Sequence, residues 1–105
     1  MNKHNQIEEV LASLWKKNLP ILRERLDLLD RTASLAASGT LPEEPRIEAY
    51  SIAHKLTGSL GMFGYQQGTD IARKIEHILK SPTPAELTTL PALAQDLRTS
   101  LSAGL

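Results

Sequence analysis

One histidine in this chain, His54, has the neighbours that phosphoryl chemistry on an imidazole needs. It lies in a segment of small residues, and Gly58 and Gly61 follow it one and nearly two helical turns later. Positions three to four apart share a face of a helix, so both glycines leave the ring of His54 uncovered. An imidazole exposed in this way can meet the phosphate of an acidic partner without obstruction. The spacing therefore indicates a phosphoryl-accepting histidine.

The helix that carries His54 is predicted over residues 43–62. At about 100° per residue, its apolar stripe falls opposite the histidine, which argues against a core role for the ring. That stripe consists of Ile52, Ala53, Leu56, Leu60 and Phe63. A glycine in mid-helix costs up to about 1 kcal/mol relative to alanine, so an ordinary surface position does not explain Gly58 and Gly61. Close packing against another helix is the alternative explanation for these two glycines.

Apolar residues at helical spacing predict the remaining elements. They indicate helices over about 5–18, from Pro20 to about Ser38, over 67–80, and after Pro84. Pro20 either breaks or kinks the chain or lies in the first turn of a new helix. Two capping boxes are expected, Thr40 with Glu43 and Thr83 with Glu86. Pro91 either kinks the last helix or delays its start.

The fold class follows from these elements and from the composition. The predicted fold is all-α, an up-down antiparallel four-helix bundle with a short extra N-terminal helix, and residues 1–105 form one domain. Phe63 and Tyr65 are expected to anchor the turn after the third helix to the core. Twelve acidic and twelve basic residues balance, which gives no electrostatic case for nucleic acid or an anionic membrane. The chain has no cysteine and no apolar run of about 18 residues, so a cytoplasmic location is expected.

The segment from Ala53 to Gly64 resembles the signature of histidine-containing phosphotransfer (Hpt) domains. It reads Ala-His-x-Leu-x-Gly-Ser-x-Gly-x-x-Gly, and the similarity continues to about Lys80. Such domains also form the first domain of chemotaxis histidine kinases. The resemblance implies a phosphorelay intermediate that takes a phosphoryl group from a receiver aspartate or a kinase and passes it to a receiver aspartate. It also implies Mg²⁺ in the partner receiver domain and none on this chain, a four-helix bundle, and a monomer.

The resemblance assigns further roles at the site. The family has a Glu or Gln about 22 positions after the histidine, which here is Glu76, and it is expected to accept a hydrogen bond from Nδ1–H of His54. That bond would leave Nε2 as the nucleophile. Lys80 matches a position where some family members have a basic residue that steadies the phosphoryl group. Arg73, about one turn from Glu76, and Lys55, directly after His54, are further candidates by their positions. Where the family usually has a lysine, three residues after the histidine, this chain has Thr57, a neutral group that gives less electrostatic help.

A docking patch for the receiver or kinase is expected around His54. It comprises Ile47, Tyr50, Ser51, Thr57, Gly58 and Gly61. The rival interpretation is a helical-bundle module that binds a partner without phosphorylation, and the missing lysine at Thr57 keeps it open. Other chemistries find no support, because the three histidines lack metal-ligand spacing and no nucleotide-binding loop is present. The chain is therefore expected to carry a phosphoryl group rather than to act as an autonomous enzyme with an ATP site.

Overall fold

The computed structural model describes residues 3–105, and the side chains from Gln6 onward. Met1 and Asn2 lie outside the described residues, as do the side chains of residues 3–5, His4 among them. The helices are α1 (Lys3–Ala36), α2 (Glu43–Met62), α3 (Gln66–Lys80), the single-turn α4 (Pro84–Leu87) and α5 (Leu90–Ser100). No strand occurs in residues 3–105, which confirms the all-α prediction. None of these helices is long and apolar enough to cross a lipid bilayer.

Leucines and alanines from the four long helices form the core. Its largest fully buried side chains are Leu22, Leu26, Leu56, Leu60, Leu79, Leu97 and Leu101. Neighbouring helices run antiparallel, as contacts between distant residues show. Arg46 at the start of α2 donates a hydrogen bond to the carbonyl of Leu79 at the end of α3. Arg98 in α5 pairs with Asp27 and Asp30 of α1, and these hydrogen bonds raise the pKa of Arg98.

The short N-terminal helix is not a separate element, and this part of the prediction is wrong. One helix, α1, continues through Pro20, although proline removes a backbone donor and usually kinks a helix. Contacts with the bundle exist on both sides of the proline. Trp15 stacks on Tyr65 at 4.6 Å between ring centroids and donates a hydrogen bond to the carbonyl of Gly104, while Leu22 is buried in the core. Packing on both sides of Pro20 therefore keeps the two halves of α1 in one continuous helix.

Of the two predicted capping boxes, one forms and the other does not. Thr40 does not cap α2, because the N-cap is Pro42 and Glu43 is the first helical residue rather than the third. Thr83 and Glu86 do form the predicted box, at the start of α4. Pro91 lies in the first turn of α5, so the last helix starts late rather than kinking. Phe63 and Tyr65 anchor the turn before α3 by packing on Trp15, as predicted.

Candidate functional site

The helices α2 and α3 form an antiparallel hairpin that carries the candidate site. Only three residues separate them, and Gly64 in that turn has φ +83°, a conformation that favours glycine. At the far end of the hairpin, Arg46 donates to the carbonyls of Leu79 and Lys80, which lack partners within α3. Its hydrogen bond with Glu43 lowers the pKa of that carboxyl group. Both ends of the hairpin are thus fixed, and the middle of α2 is held in register with α3.

That register brings His54 and Glu76 together. Nδ1 of His54 lies 2.9 Å from Oε2 of Glu76, the contact that was predicted from the sequence. The histidine side chain is 70% exposed, whereas that of Glu76 is 20% exposed. A carboxylate accepts a hydrogen bond and does not donate one, so a neutral ring must present Nδ1–H here. Nε2 is then the unprotonated nitrogen of an imidazole that solvent and partners can reach.

A shallow depression of about 460 Å³ surrounds the two residues. It is lined by Tyr50, His54, Thr57, Gly58, Arg73, Glu76, His77 and Lys80. Two of the three predicted cationic groups, Arg73 and Lys80, therefore border the histidine. The third, Lys55, is exposed but does not line the depression. The mixture of one nucleophilic ring and several basic groups suits a phosphoryl group better than an apolar ligand.

Only some residues of the predicted docking patch line this depression. Tyr50, Thr57 and Gly58 line it, whereas Ile47, Ser51 and Gly61 are exposed on α2 without lining it. A Cβ added at Gly58 would have no atom within 4 Å apart from its own helix backbone and chain neighbours. Close helix packing therefore does not explain Gly58. At Gly61 the added Cβ would lie in ordinary contact with Thr69, at 3.8 Å from its Oγ1.

Two features of the site were not predicted from the sequence. His77 lines the depression, although no role is predicted for it from the sequence. Its place four residues after Arg73 on the same helix was the available signal. Thr57 donates a hydrogen bond to Oε1 of Glu76 at 3.2 Å, a contact that residue type and spacing alone do not specify.

A second hollow lies on the other side of α3. It has a volume of about 710 Å³, and its lining includes Ile78 of α3 and Leu93 of α5 but neither His54 nor Glu76. Arg73 and His77 border both hollows. The larger hollow contains no nucleophile in a hydrogen-bonded pair of this kind. The volume of a hollow therefore does not identify the chemical site. Among the described residues, no cluster of His, Cys, Asp or Glu could hold a metal ion.

Comparisons with known proteins agree with this geometry. The family model described as Hpt domain matches residues 19–103, which includes every lining residue of the depression. The chain is similar to Protein RcaC of Microchaete diplosiphon, with 28% identity over 94 residues. The aligned region covers 83% of this chain but only 14% of that relative's length. No solved structure matches the chain at a significant level.

Proposed function

The chain belongs to the Hpt domain family, and we propose that it is a histidine phosphotransfer domain that carries a phosphoryl group on Nε2 of His54. The observation that carries this proposal is the hydrogen bond of 2.9 Å between Nδ1 of His54 and the shielded carboxylate of Glu76. It orients an otherwise exposed ring and directs the proton away from the nitrogen that faces solvent. Mobile surface histidines lack such an oriented lone pair.

In the proposed reaction, the unprotonated Nε2 of His54 attacks the phosphorus of an aspartyl phosphate on a receiver domain. A nitrogen–phosphorus bond forms while the phosphorus–oxygen bond to the aspartate breaks, and the electron pair leaves with the carboxylate. Because Nδ1 keeps its proton, the ring gains a positive charge, which the Glu76 carboxylate stabilises through a charge-assisted hydrogen bond. The reverse sequence passes the phosphoryl group to another receiver aspartate.

Cations at the rim of the depression support the phosphorylated state. Arg73 and Lys80 border the site, and the side chain of Arg73 is 62% exposed beside Asp70, so it can turn towards an incoming phosphate. Lys55 is exposed on α2 next to His54, and we assign it to contact with the partner. Thr57 supplies no charge where relatives of this kind usually have a lysine. The positive charge that this chain places at the rim of the depression therefore belongs to Arg73 and Lys80 of α3.

The partner is a receiver domain or a histidine kinase that docks on the exposed face of α2. The docking surface comprises Ile47, Tyr50, Ser51, Thr57, Gly58 and Gly61. Gly58 leaves open space one turn from His54, which lets the partner bring its phosphoryl group up to the ring. We assign Mg²⁺ and the remaining catalytic groups to the receiver, since this chain contributes mainly orientation. The chain then acts as a monomer in a transient complex.

A phosphotransfer assay with two histidine variants tests the proposal. Wild-type protein, His54→Gln and His77→Gln are mixed with a panel of radiolabelled phosphorylated receiver domains. Wild-type and His77→Gln proteins should become labelled, with a label that is stable in alkali and labile in acid. His54→Gln should stay unlabelled while its circular dichroism spectrum is unchanged. Labelling of His54→Gln would disprove the assignment of the phosphoacceptor.

The same assay separates the alternatives. If no receiver labels the wild-type protein, a histidine kinase with ATP is added as the donor. Labelling by the kinase alone would identify the phosphoacceptor domain of a kinase-type system. Binding of a receiver without labelling from either donor would instead support the interaction module, the function that Thr57 in place of a lysine favours.

A further inference from the structure

Thr57 makes two contacts that connect the backbone of α2 to the carboxylate of Glu76. Its Oγ1 lies 2.9 Å from the carbonyl oxygen of Ala53, one turn earlier, and 3.2 Å from Oε1 of Glu76. Threonine is stiff at χ1, and a bond to the preceding turn selects one of its rotamers in a helix. The hydroxyl therefore stands at a fixed place beside the glutamate, and its single proton is shared between two acceptors, the carbonyl of Ala53 and Oε1 of Glu76.

The two oxygens of Glu76 then have different partners. Oε1 accepts from Thr57 and Oε2 faces Nδ1 of His54 at 2.9 Å. Among the residues whose side chains are described, no lysine or arginine forms an ion pair with Glu76. The glutamate is attached to α3 by a flexible side chain, so its orientation depends on these two contacts. Without the hydroxyl, the contact with His54 would be the only one that orients Glu76. The carboxylate would then have no independent support for holding the ring of His54.

We propose that Thr57 is a positioning residue: its hydroxyl holds Oε1 of Glu76 so that Oε2 keeps the proton of His54 on Nδ1. The inference rests on the proposed phosphotransfer function and goes beyond it. It gives Thr57 a role in place of the missing lysine. A lysine would add charge near the phosphoryl group, whereas the threonine maintains the tautomer that leaves Nε2 free to attack.

Nitrogen NMR of the histidine rings tests this role without any phosphorylation. The measurement compares wild-type protein with Thr57→Val, which is close in shape but has no hydroxyl, and with Thr57→Ser, which keeps it. At a pH where the ring is neutral, His54 should be mainly the Nδ1–H tautomer in wild type and in Thr57→Ser. In Thr57→Val the Nε2–H tautomer should increase, and phosphoryl transfer should slow by about three- to tenfold, the effect of one lost hydrogen bond.

A second threonine provides a matched control. Thr69 makes the same kind of bond to the preceding turn, from Oγ1 to the carbonyl of Tyr65 at 2.8 Å, and no hydrogen bond connects it to Glu76. Thr69→Val should therefore leave the tautomer of His54 unchanged. An unchanged tautomer in Thr57→Val would overturn the proposal, whatever happens to the transfer rate. If wild type accepts no phosphoryl group, the proposed function fails, and with it the role of Thr57 in transfer, while the tautomer still shows whether Thr57 orients the pair.

Discussion

Gly58 and Gly68 lie on the two helices that build the site, but their surroundings are opposite. A Cβ at Gly58 in α2 would meet nothing within 4 Å beyond its own helix. A Cβ at Gly68 in α3 would lie 3.0 Å from Leu101 and 3.4 Å from Leu60, both fully buried. Gly68 is needed because α3 packs closely against α5 and α2. Gly58 has no such structural reason.

This difference separates a residue that the fold requires from one that it merely tolerates. Alanine at position 58 would be accommodated and would improve the helix by up to about 1 kcal/mol. The chain instead keeps a less stable α2 with a bare surface one turn from His54. Such a surface is useful when another molecule approaches closely. The approach of a partner therefore explains the glycine at position 58, whereas packing in the core explains the glycine at position 68.

The strongest test of this comparison is Gly58→Leu. The added side chain projects into open solvent, so the free energy of unfolding should stay the same or rise. The same side chain would occupy the approach to His54, and we expect the rate of phosphoryl transfer to fall at least about tenfold, which corresponds to roughly 1.4 kcal/mol in the barrier. Transfer from a phosphorylated receiver and a thermal melt measure the two effects. Normal transfer in Gly58→Leu would remove Gly58 from the docking surface.

Gly68→Ala should show the opposite behaviour. The new Cβ would press on Leu101 and on the Oγ of Ser100, and overpacking of this kind costs about 1–3 kcal/mol. Better helix propensity offsets part of that cost, so we expect a net loss of about 1 kcal/mol in urea unfolding. Transfer measured well below the melting temperature should be retained. Gly58→Ala is the matched control and should gain stability; a gain in Gly68→Ala as well would mean that the α3–α5 contact yields easily.

Features that depend on local pattern were predictable from the sequence. The helix predicted over about 43–62 is α2, Glu43–Met62, because its apolar stripe is a local signal, although the capping box that suggested its start does not form. The pairing of His54 with Glu76 is implied by the family resemblance, and the structure contains that contact. The end predicted at about Ser38 lies two residues beyond the end of α1 at Ala36, and Gly39 directly after it has φ +90°, a conformation that favours glycine and stops a helix.

Features that depend on distant contacts were not predictable. Proline at position 20 indicates a helix boundary, and α1 continues only because Trp15 and Leu22 both pack against the bundle. Thr40 and Glu43 have the spacing of a capping box, but α2 begins three residues after Thr40, so the hydroxyl is too early to cap it. The bond from Thr57 to Glu76 depends on the register between two helices. No single-helix pattern specifies that register.

The smallest effect is expected at Gly61, which lies between the two extremes. Its added Cβ would point towards Thr69 at 3.8 Å, an ordinary van der Waals distance, rather than into solvent or into a full core. Gly61→Ala should therefore raise stability by about 0.5–1 kcal/mol, seen as a melting temperature higher by a few degrees. The methyl group would lie against Thr69 of α3 and would add little bulk to the docking surface, so transfer should stay within about threefold of wild type. A loss comparable to that of Gly58→Leu in a protein that is folded and more stable would instead mean that the partner packs on Gly61 so closely that the docking surface does not accept even one methyl group.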